Sequence, residues 1–149
     1  MKIVVNRCYG GFSLSPLAVQ RLAKLHGKEC YFFKSSLKEN GYIPISLEQA
    51  EKELFWSAYF VPDPQNYKLG ELDEDGFYKS ANERAEKISI SYMDIRRDDS
   101  NLIKVVEELG DKANGRCAEL QIVEIPDGIE WEIEEYAGLE RVSEKHRTW

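Results

Sequence analysis

A pair of glycines stands between a predicted strand and a predicted helix near the start of the chain. Gly10 and Gly11 follow the apolar segment Lys2–Val5 and precede Ser15 and Pro16, which are typical of a helix cap and a first helical position. Such a junction turns backbone N–H groups toward one point beside a helix start, and this suits a phosphate or carboxylate. The spacing matches neither a P-loop nor a dinucleotide-binding fingerprint, so a tight turn that requires glycine for steric reasons is the alternative. The candidate ligand-binding residues of this loop are Cys8, Tyr9, Gly10, Gly11, Phe12, Ser13 and Ser15.

Cys8 precedes the glycine pair, and a thiol near a helix N-terminus can act as a nucleophile. Catalysis would also need a base, and the two histidines are His26, at the far end of the predicted helix, and His146. A small buried residue that completes the first strand is the interpretation we favour. We therefore assign no catalytic residue and lean away from an enzyme, with a small hydrolase or transferase using Cys8 or His146 as the weaker alternative.

Arg96 and Arg97 lie between a predicted strand and a predicted helix. Two guanidinium groups at a strand end can clamp a phosphate through paired hydrogen bonds, so both are candidate ligand-binding residues. Pairing with acidic neighbours in the sequence is the alternative, and in so acidic a chain it is somewhat favoured. Those neighbours are Asp94, Asp98 and Asp99.

The last five residues, Lys145–Trp149, combine cations with an aromatic side chain. A tryptophan beside cations can stack on a base while the charges hold an anionic group, so His146, Arg147 and Trp149 complete the candidate site. The alternative is that Trp149 pins the tail to the core or packs on a second subunit. Trp131 and Trp149 also make a homo-oligomer a candidate assembly.

The carboxylates of Glu130, Glu132 and Glu134 alternate with apolar residues, which is typical of the solvated face of a strand. No spacing of histidines or aspartates supports a metal site. We expect neither a metal nor a cofactor.

Composition limits the class of protein. The 149 residues are 42% hydrophobic and carry a formal net charge of −7, which fits one globular domain over 1–149 and disfavours an extended nucleic-acid surface. Three cysteines without C-x-x-C spacing argue against a disulfide framework. No apolar run reaches the ~20 residues that span a bilayer. We expect a cytoplasmic protein with no membrane contact.

Alternating strand and helix signals predict an α/β or α+β domain. The first strand, the first helix and a strand at Cys30–Phe33 could form a unit with parallel strands, giving a mixed, partly parallel sheet flanked by two or three helices. The middle of the chain predicts a loop over Lys34–Ile45, a capping box from Ser46, a strand at Leu54–Val61 covered on both faces, and a loop over Gln65–Lys79. A capping box at Ser80–Glu83 and an alternating strand at Ile88–Tyr92 follow. The last third predicts a helix capped by Asp98 or Asp99 and ended by Gly110, a strand at Leu120–Ile125, and a C-terminal β-hairpin that turns at Ala137 and Gly138.

The motifs at both ends and in the third quarter resemble a known group. These motifs are Tyr9-Gly10-Gly11-Phe12-Ser13-Leu14-Ser15, Arg97–Gly110, Val123–Gly128 and Glu144–Trp149. The chain is similar to a family of small bacteriophage and prophage proteins for which no activity is established. The resemblance implies a phage context and hence the cytoplasm of an infected bacterium.

The sequence therefore predicts a non-catalytic binding protein for a small anionic, nucleotide-like ligand. In a phage context, capture of a nucleotide signal of antiphage defence is an attractive role. The alternative is an acidic interaction module that inhibits a host protein.

Overall fold

A computed structural model describes residues 1–36, 41–62 and 95–145. In chain order the described elements are β1 (Lys2–Asn6), α1 (Pro16–Leu25), β2 (Tyr31–Ser36), β3 (Gly41–Ile45), α2 (Leu47–Lys52), β4 (Ser57–Tyr59), α3 (Ser100–Leu109), a 3-10 turn (Gly110–Ala113), β5 (Leu120–Glu124), β6 (Trp131–Tyr136) and β7 (Leu139–Glu144). The predicted loop at Gln65–Lys79, capping box at Ser80–Glu83 and strand at Ile88–Tyr92 lie outside the described residues.

The chain divides into two compact units, and each is described by itself. The first unit comprises Met1–Leu22 and Tyr92–Trp149, and the second comprises Ala23–Ser91. The single domain predicted over 1–149 stays a prediction.

The first unit contains two antiparallel strand pairs. β1 pairs with β5, with Val4 opposite Ile122, and β6 pairs with β7 in the predicted C-terminal hairpin. Its turn is formed by Ala137 and Gly138, both at positive φ. Helix α3 contacts β1 and β5, and β7 contacts β1. The buried side chains of this core include Ile3, Val5, Leu102 and Val105, each with no exposed surface.

Both helix starts in this unit follow the capping signals in the sequence. The Ser15 hydroxyl accepts a hydrogen bond from Ala18 N at 3.1 Å, and the Asp99 carboxylate accepts one from Leu102 N at 3.0 Å. These bonds satisfy backbone N–H groups that have no partner within the first helical turn. The predicted caps and the end of α3 at Gly110 are confirmed.

In the second unit, β2 is the central strand of an antiparallel sheet in the order β3, β2, β4, and α2 contacts β2. The predicted loop over Lys34–Ile45 is wrong at both ends, because β2 continues to Ser36 and β3 begins at Gly41; the residues between them lie outside the described part of the chain. Pro44 fits there because β3 is an outer strand of this sheet. The strand predicted at Leu54–Val61 is shortened to β4, and Phe55 is 81% exposed rather than covered.

The chain is therefore of the mixed α+β class, but the predicted partly parallel sheet is wrong. All strand pairs in the described part of the chain are antiparallel. Within the described ranges β1 has no parallel neighbour. β5 pairs with one edge of β1, and on the other edge Val4 N donates to Arg97 O and Asn6 N donates to the Glu140 carboxylate, both at 2.8 Å.

No helix within the described ranges combines the length and apolar composition required to cross a membrane.

Candidate functional site

The predicted anion-binding turn is packed against the hairpin turn. A Cβ added to Gly138 would lie 2.6 Å from Gly10 N and closer still to Gly11 N, so the Gly138 backbone lies directly on those two amides. A Cβ added to Gly10 would lie 2.6 Å from Cys117 O. These close approaches explain Gly10 and Gly138 as steric requirements of the fold, without a ligand.

Asn6 holds this packing together. It is fully buried, and its side-chain amide donates to Cys8 O and to Gly138 O, each at 2.7 Å. Its side-chain oxygen accepts from Glu119 N at 2.9 Å. One asparagine thereby joins the start of the glycine loop, the hairpin turn and the segment before β5.

Arg97 is part of a buried cluster that we call the arginine–glutamate cluster, formed by Asn6, Phe12, Arg97 and Glu140. The Arg97 guanidinium donates two hydrogen bonds to the Glu140 carboxylate, at 2.6 and 2.9 Å. Its central carbon lies 3.6 Å from the centre of the Phe12 ring, in a cation–π contact. The side chains of Arg97 and Glu140 are only 15% and 5% exposed. The Arg97 charge is thus neutralised inside the protein by a carboxylate 43 residues away.

Arg96 lies in the opposite environment. Its side chain is 76% exposed and donates to Asp98 through Nε and Nη2, at 2.9 and 3.0 Å. Nη1 takes no part in these two bonds. The predicted pairing of the arginines with sequence neighbours holds for Arg96 and Asp98.

Arg96 lines a hollow of about 540 Å³ at the open end of the hairpin, which we call the tryptophan hollow. Its lining residues are Arg96, Ile129, Glu130, Trp131 and Lys145. Lys145 N donates to Glu130 O at 2.9 Å, and this backbone hydrogen bond joins the two strand ends beside the hollow. The hollow brings together one aromatic ring, two cations and one carboxylate.

Neither Glu130 nor Lys145 forms a side-chain ion pair or hydrogen bond within the described residues, although the two lie opposite each other across the hairpin. Both are exposed. Among the described residues no side chain pairs with these two charges, so both groups are candidates for contact with a bound molecule.

Cys8 is partly exposed, and its thiol lies 3.8 Å from the carbonyl oxygen of Tyr9. Within the described residues no histidine or carboxylate is hydrogen-bonded to it, and His26 belongs to the other unit. Cys30 is also free, and burial raises its pKa to about 11. No catalytic pair is assembled around a cysteine in the part of the chain that the structure describes.

The remaining predicted residues of the glycine loop have structural contacts or lie on the surface. Phe12 is buried in the arginine–glutamate cluster, and Ser15 caps α1 and donates to Lys112 O at 2.6 Å. Ser13 donates to Arg116 O at 3.3 Å, and Tyr9 is 64% exposed. The structure does not bring Arg97 and this loop together around an open space. His146, Arg147 and Trp149 lie outside the described residues.

Sequence reasoning missed Glu140, Asn6 and Gly138, and it did not place Trp131 in the site. A glycine at the hairpin turn was visible, but its contact with a loop more than 120 residues earlier had no local signal. Trp131 and Lys145 lie near the two open ends of the predicted hairpin. The pairing of these ends across the hairpin was the signal that could have predicted a shared site.

Comparisons of the chain with protein-family models, curated proteins and solved structures gave no match. The bacteriophage family therefore stays a prediction, and the functional interpretation depends on the geometry of the site.

Proposed function

We propose that this chain is a non-catalytic binding protein that holds a small anionic, nucleotide-like ligand in the tryptophan hollow. The observation that carries the proposal is that Arg96, Trp131 and Lys145 line one hollow. An aromatic face for a base and cations for a phosphate are the two elements by which proteins hold nucleotides. The proposed ligand site is therefore the open end of the hairpin rather than the loop of Gly10 and Gly11.

The volume of the hollow is compatible with a small molecule. Sites for small molecules typically have about 300–1,000 Å³, and the tryptophan hollow, which is open to solvent, has about 540 Å³. Trp131 is half-buried, so its ring is held by the protein while part of it remains accessible.

The charges support a ligand with few negative charges. The two cations, Arg96 and Lys145, are matched in number by two carboxylates, Asp98 and Glu130; Arg96 is paired with Asp98, whereas Lys145 has no ion pair among the described residues. A nucleoside monophosphate fits this balance better than a triphosphate, since each further phosphate would need a further cation.

The proposal is binding without reaction. Among the described residues the lining includes a glutamate and a lysine, which can carry protons, but no serine, threonine, cysteine or histidine that would form a nucleophile–base pair. We expect the bound molecule to leave unchanged.

The test is isothermal titration calorimetry of the full chain with GMP, AMP and inorganic phosphate. We expect one site per chain, and Trp131→Ala should weaken nucleotide binding at least tenfold, because stacking contributes about 1–3 kcal/mol per base. The matched control is Tyr136→Ala, which removes a 76% exposed aromatic residue from the other end of β6. No binding of either nucleotide, or equal loss in both variants, would overturn the proposal.

The phage resemblance extends the proposal to a role. We propose that the ligand is a nucleotide signal of antiphage defence, which the protein removes from the host cytoplasm by capture. Native mass spectrometry of protein purified from infected cells should detect one retained nucleotide per site, with the mass of an intact signal. Recovery of protein that carries no nucleotide under these conditions would contradict this role.

An interaction module is the second candidate; a protein contact is favoured by the apolar side chains of Leu54 and Phe55, which are 58% and 81% exposed. Exposed large apolar side chains are typical of protein contacts. A second copy of the chain or a host protein would then cover them. Sedimentation velocity of Phe55→Ser against the unmodified chain tests self-association: a shift toward monomer would support a homo-oligomer.

A further inference from the structure

We infer that the base bound in the tryptophan hollow is guanine and that the Glu130 carboxylate recognises it; this inference rests on the proposed function. A carboxylate in a site for an anion repels the phosphate unless the ligand also brings hydrogen-bond donors to it. Glu130 lines the hollow and has no side-chain partner among the described residues. Stacking on Trp131 and phosphate binding by the cations give this carboxylate no role in the hollow.

The donor pattern of the bases selects guanine. An ionised carboxylate offers two acceptor oxygens and no donor. Guanine presents two adjacent donors, N1–H and the N2 amino group, on one edge, so both oxygens can be satisfied at once. Adenine and cytosine present one amino group beside an acceptor nitrogen, and uracil presents one N–H between two carbonyl oxygens. Each of these bases would set an acceptor against the carboxylate.

In the hollow, the group proposed to bind phosphate and the group proposed to bind the base are not paired with each other. Lys145 lies opposite Glu130 across the hairpin, yet their charged groups are not within the 4.0 Å of an ion pair. The ammonium group is therefore available to phosphate while the carboxylate is available to the base. Trp131 lines the same hollow, and the proposal assigns stacking on the base to its ring.

The experiment compares GMP, IMP and AMP by isothermal titration calorimetry with the full chain. IMP keeps the N1–H of guanine but lacks the N2 amino group, so it isolates one of the two hydrogen bonds. We expect GMP to bind about tenfold more tightly than IMP and about 10- to 100-fold more tightly than AMP, as for a bidentate base contact.

Glu130→Gln should reduce the GMP preference over AMP to less than about threefold, because the amide offers one acceptor and one donor group. Glu132→Gln, an exposed carboxylate two residues along the strand, is the matched control and should retain the preference. Circular dichroism of both variants checks that the fold is intact.

The outcomes separate this inference from the proposed function. If GMP and AMP bind equally and Trp131→Ala weakens both, the proposed function stands and guanine recognition is wrong. If the GMP preference survives Glu130→Gln, the recognition belongs to another residue and this inference is wrong. If no nucleotide binds, both fail together.

Discussion

The arginine–glutamate cluster and the tryptophan hollow each contain one of two adjacent arginines, and the two side chains lie in opposite environments. Arg97 is 15% exposed, hydrogen-bonded to Glu140 and packed over the Phe12 ring, whereas Arg96 is 76% exposed and hydrogen-bonded to Asp98. The first is a connection inside the fold, and the second is part of a surface that a ligand can reach. The comparison shows that, of two adjacent arginines, the one without a buried carboxylate partner keeps its guanidinium group exposed.

The largest expected effect is on stability, from Arg97→Ala. Removing this side chain leaves the Glu140 carboxylate, 5% exposed, without its cation. Breaking a buried pair in this way costs about 3–5 kcal/mol of unfolding free energy, as measured by urea denaturation followed by circular dichroism.

Arg96→Ala is the matched control, because it removes the neighbouring arginine from an exposed pair. We expect a loss below about 1 kcal/mol. Equal losses in the two variants would remove the distinction between a buried connection and a surface cation.

The next effect tests the contact between the glycine loop and the hairpin turn. Gly138→Ala would place a methyl group against the backbone amides of Gly10 and Gly11 at a φ of +93°. Because the obstacle is backbone rather than a flexible side chain, we expect a loss of about 2–4 kcal/mol.

Gly128→Ala provides the comparison for this effect. Gly128 has a φ of +81°, but an added Cβ meets nothing within 4 Å. Only the backbone conformation is then penalised, by about 1–2 kcal/mol. A smaller loss for Gly138→Ala than for Gly128→Ala in the same urea titration would show that the two turns are not in contact in solution.

The sequence predicted what depends on local signals and missed what depends on distant partners. The caps at Ser15 and Asp99 and the hairpin turn at Gly138 follow from residue types within a few positions, and the structure has them. The parallel sheet was wrong because the open edge of β1 is covered by Arg97 and Glu140, which lie more than 90 residues away. A short stretch of sequence around β1 does not include these distant residues, so it could not predict which groups bond to this edge.

The same limit applies to the site. Local reasoning identified Arg96 and Arg97 as equivalent candidates, since their neighbours in sequence are the same. The buried Glu140 and the Phe12 ring, both distant in sequence, distinguish Arg97 from Arg96. Predicting the tryptophan hollow would have required the register of the hairpin, which places Glu130 opposite Lys145.

A smaller effect, on binding rather than stability, is expected from Lys145→Ala. This change removes the cation of the tryptophan hollow that has no ion-pair partner in the described ranges. We expect GMP affinity to fall about five- to tenfold at low salt and the difference to shrink at high salt, since exposed charges are screened. Lys104→Ala, an exposed lysine on α3 that does not line the hollow, should change the calorimetric affinity less than twofold.

The smallest effect concerns the partner of Arg96. The hydrogen bond and charge of Arg96 lower the pKa of Asp98 below its ordinary value of 3.8. The pair's stabilising contribution is therefore fully present above that value and lost only as pH falls through the lowered pKa. Between about pH 5 and 8 the ionisation of Asp98 should leave ligand affinity unchanged.

Asp98→Asn, in contrast, should release Arg96 toward the ligand and raise GMP affinity about two- to threefold at low salt. The variant keeps the helix cap, because α3 is capped by Asp99. Asp111→Asn, an exposed carboxylate in the 3-10 turn, removes the same charge away from the hollow and serves as the control. An equal gain in both variants would reflect net charge alone, whereas an unchanged affinity in Asp98→Asn would exclude Arg96 from the ligand contact and leave Lys145 as its cation.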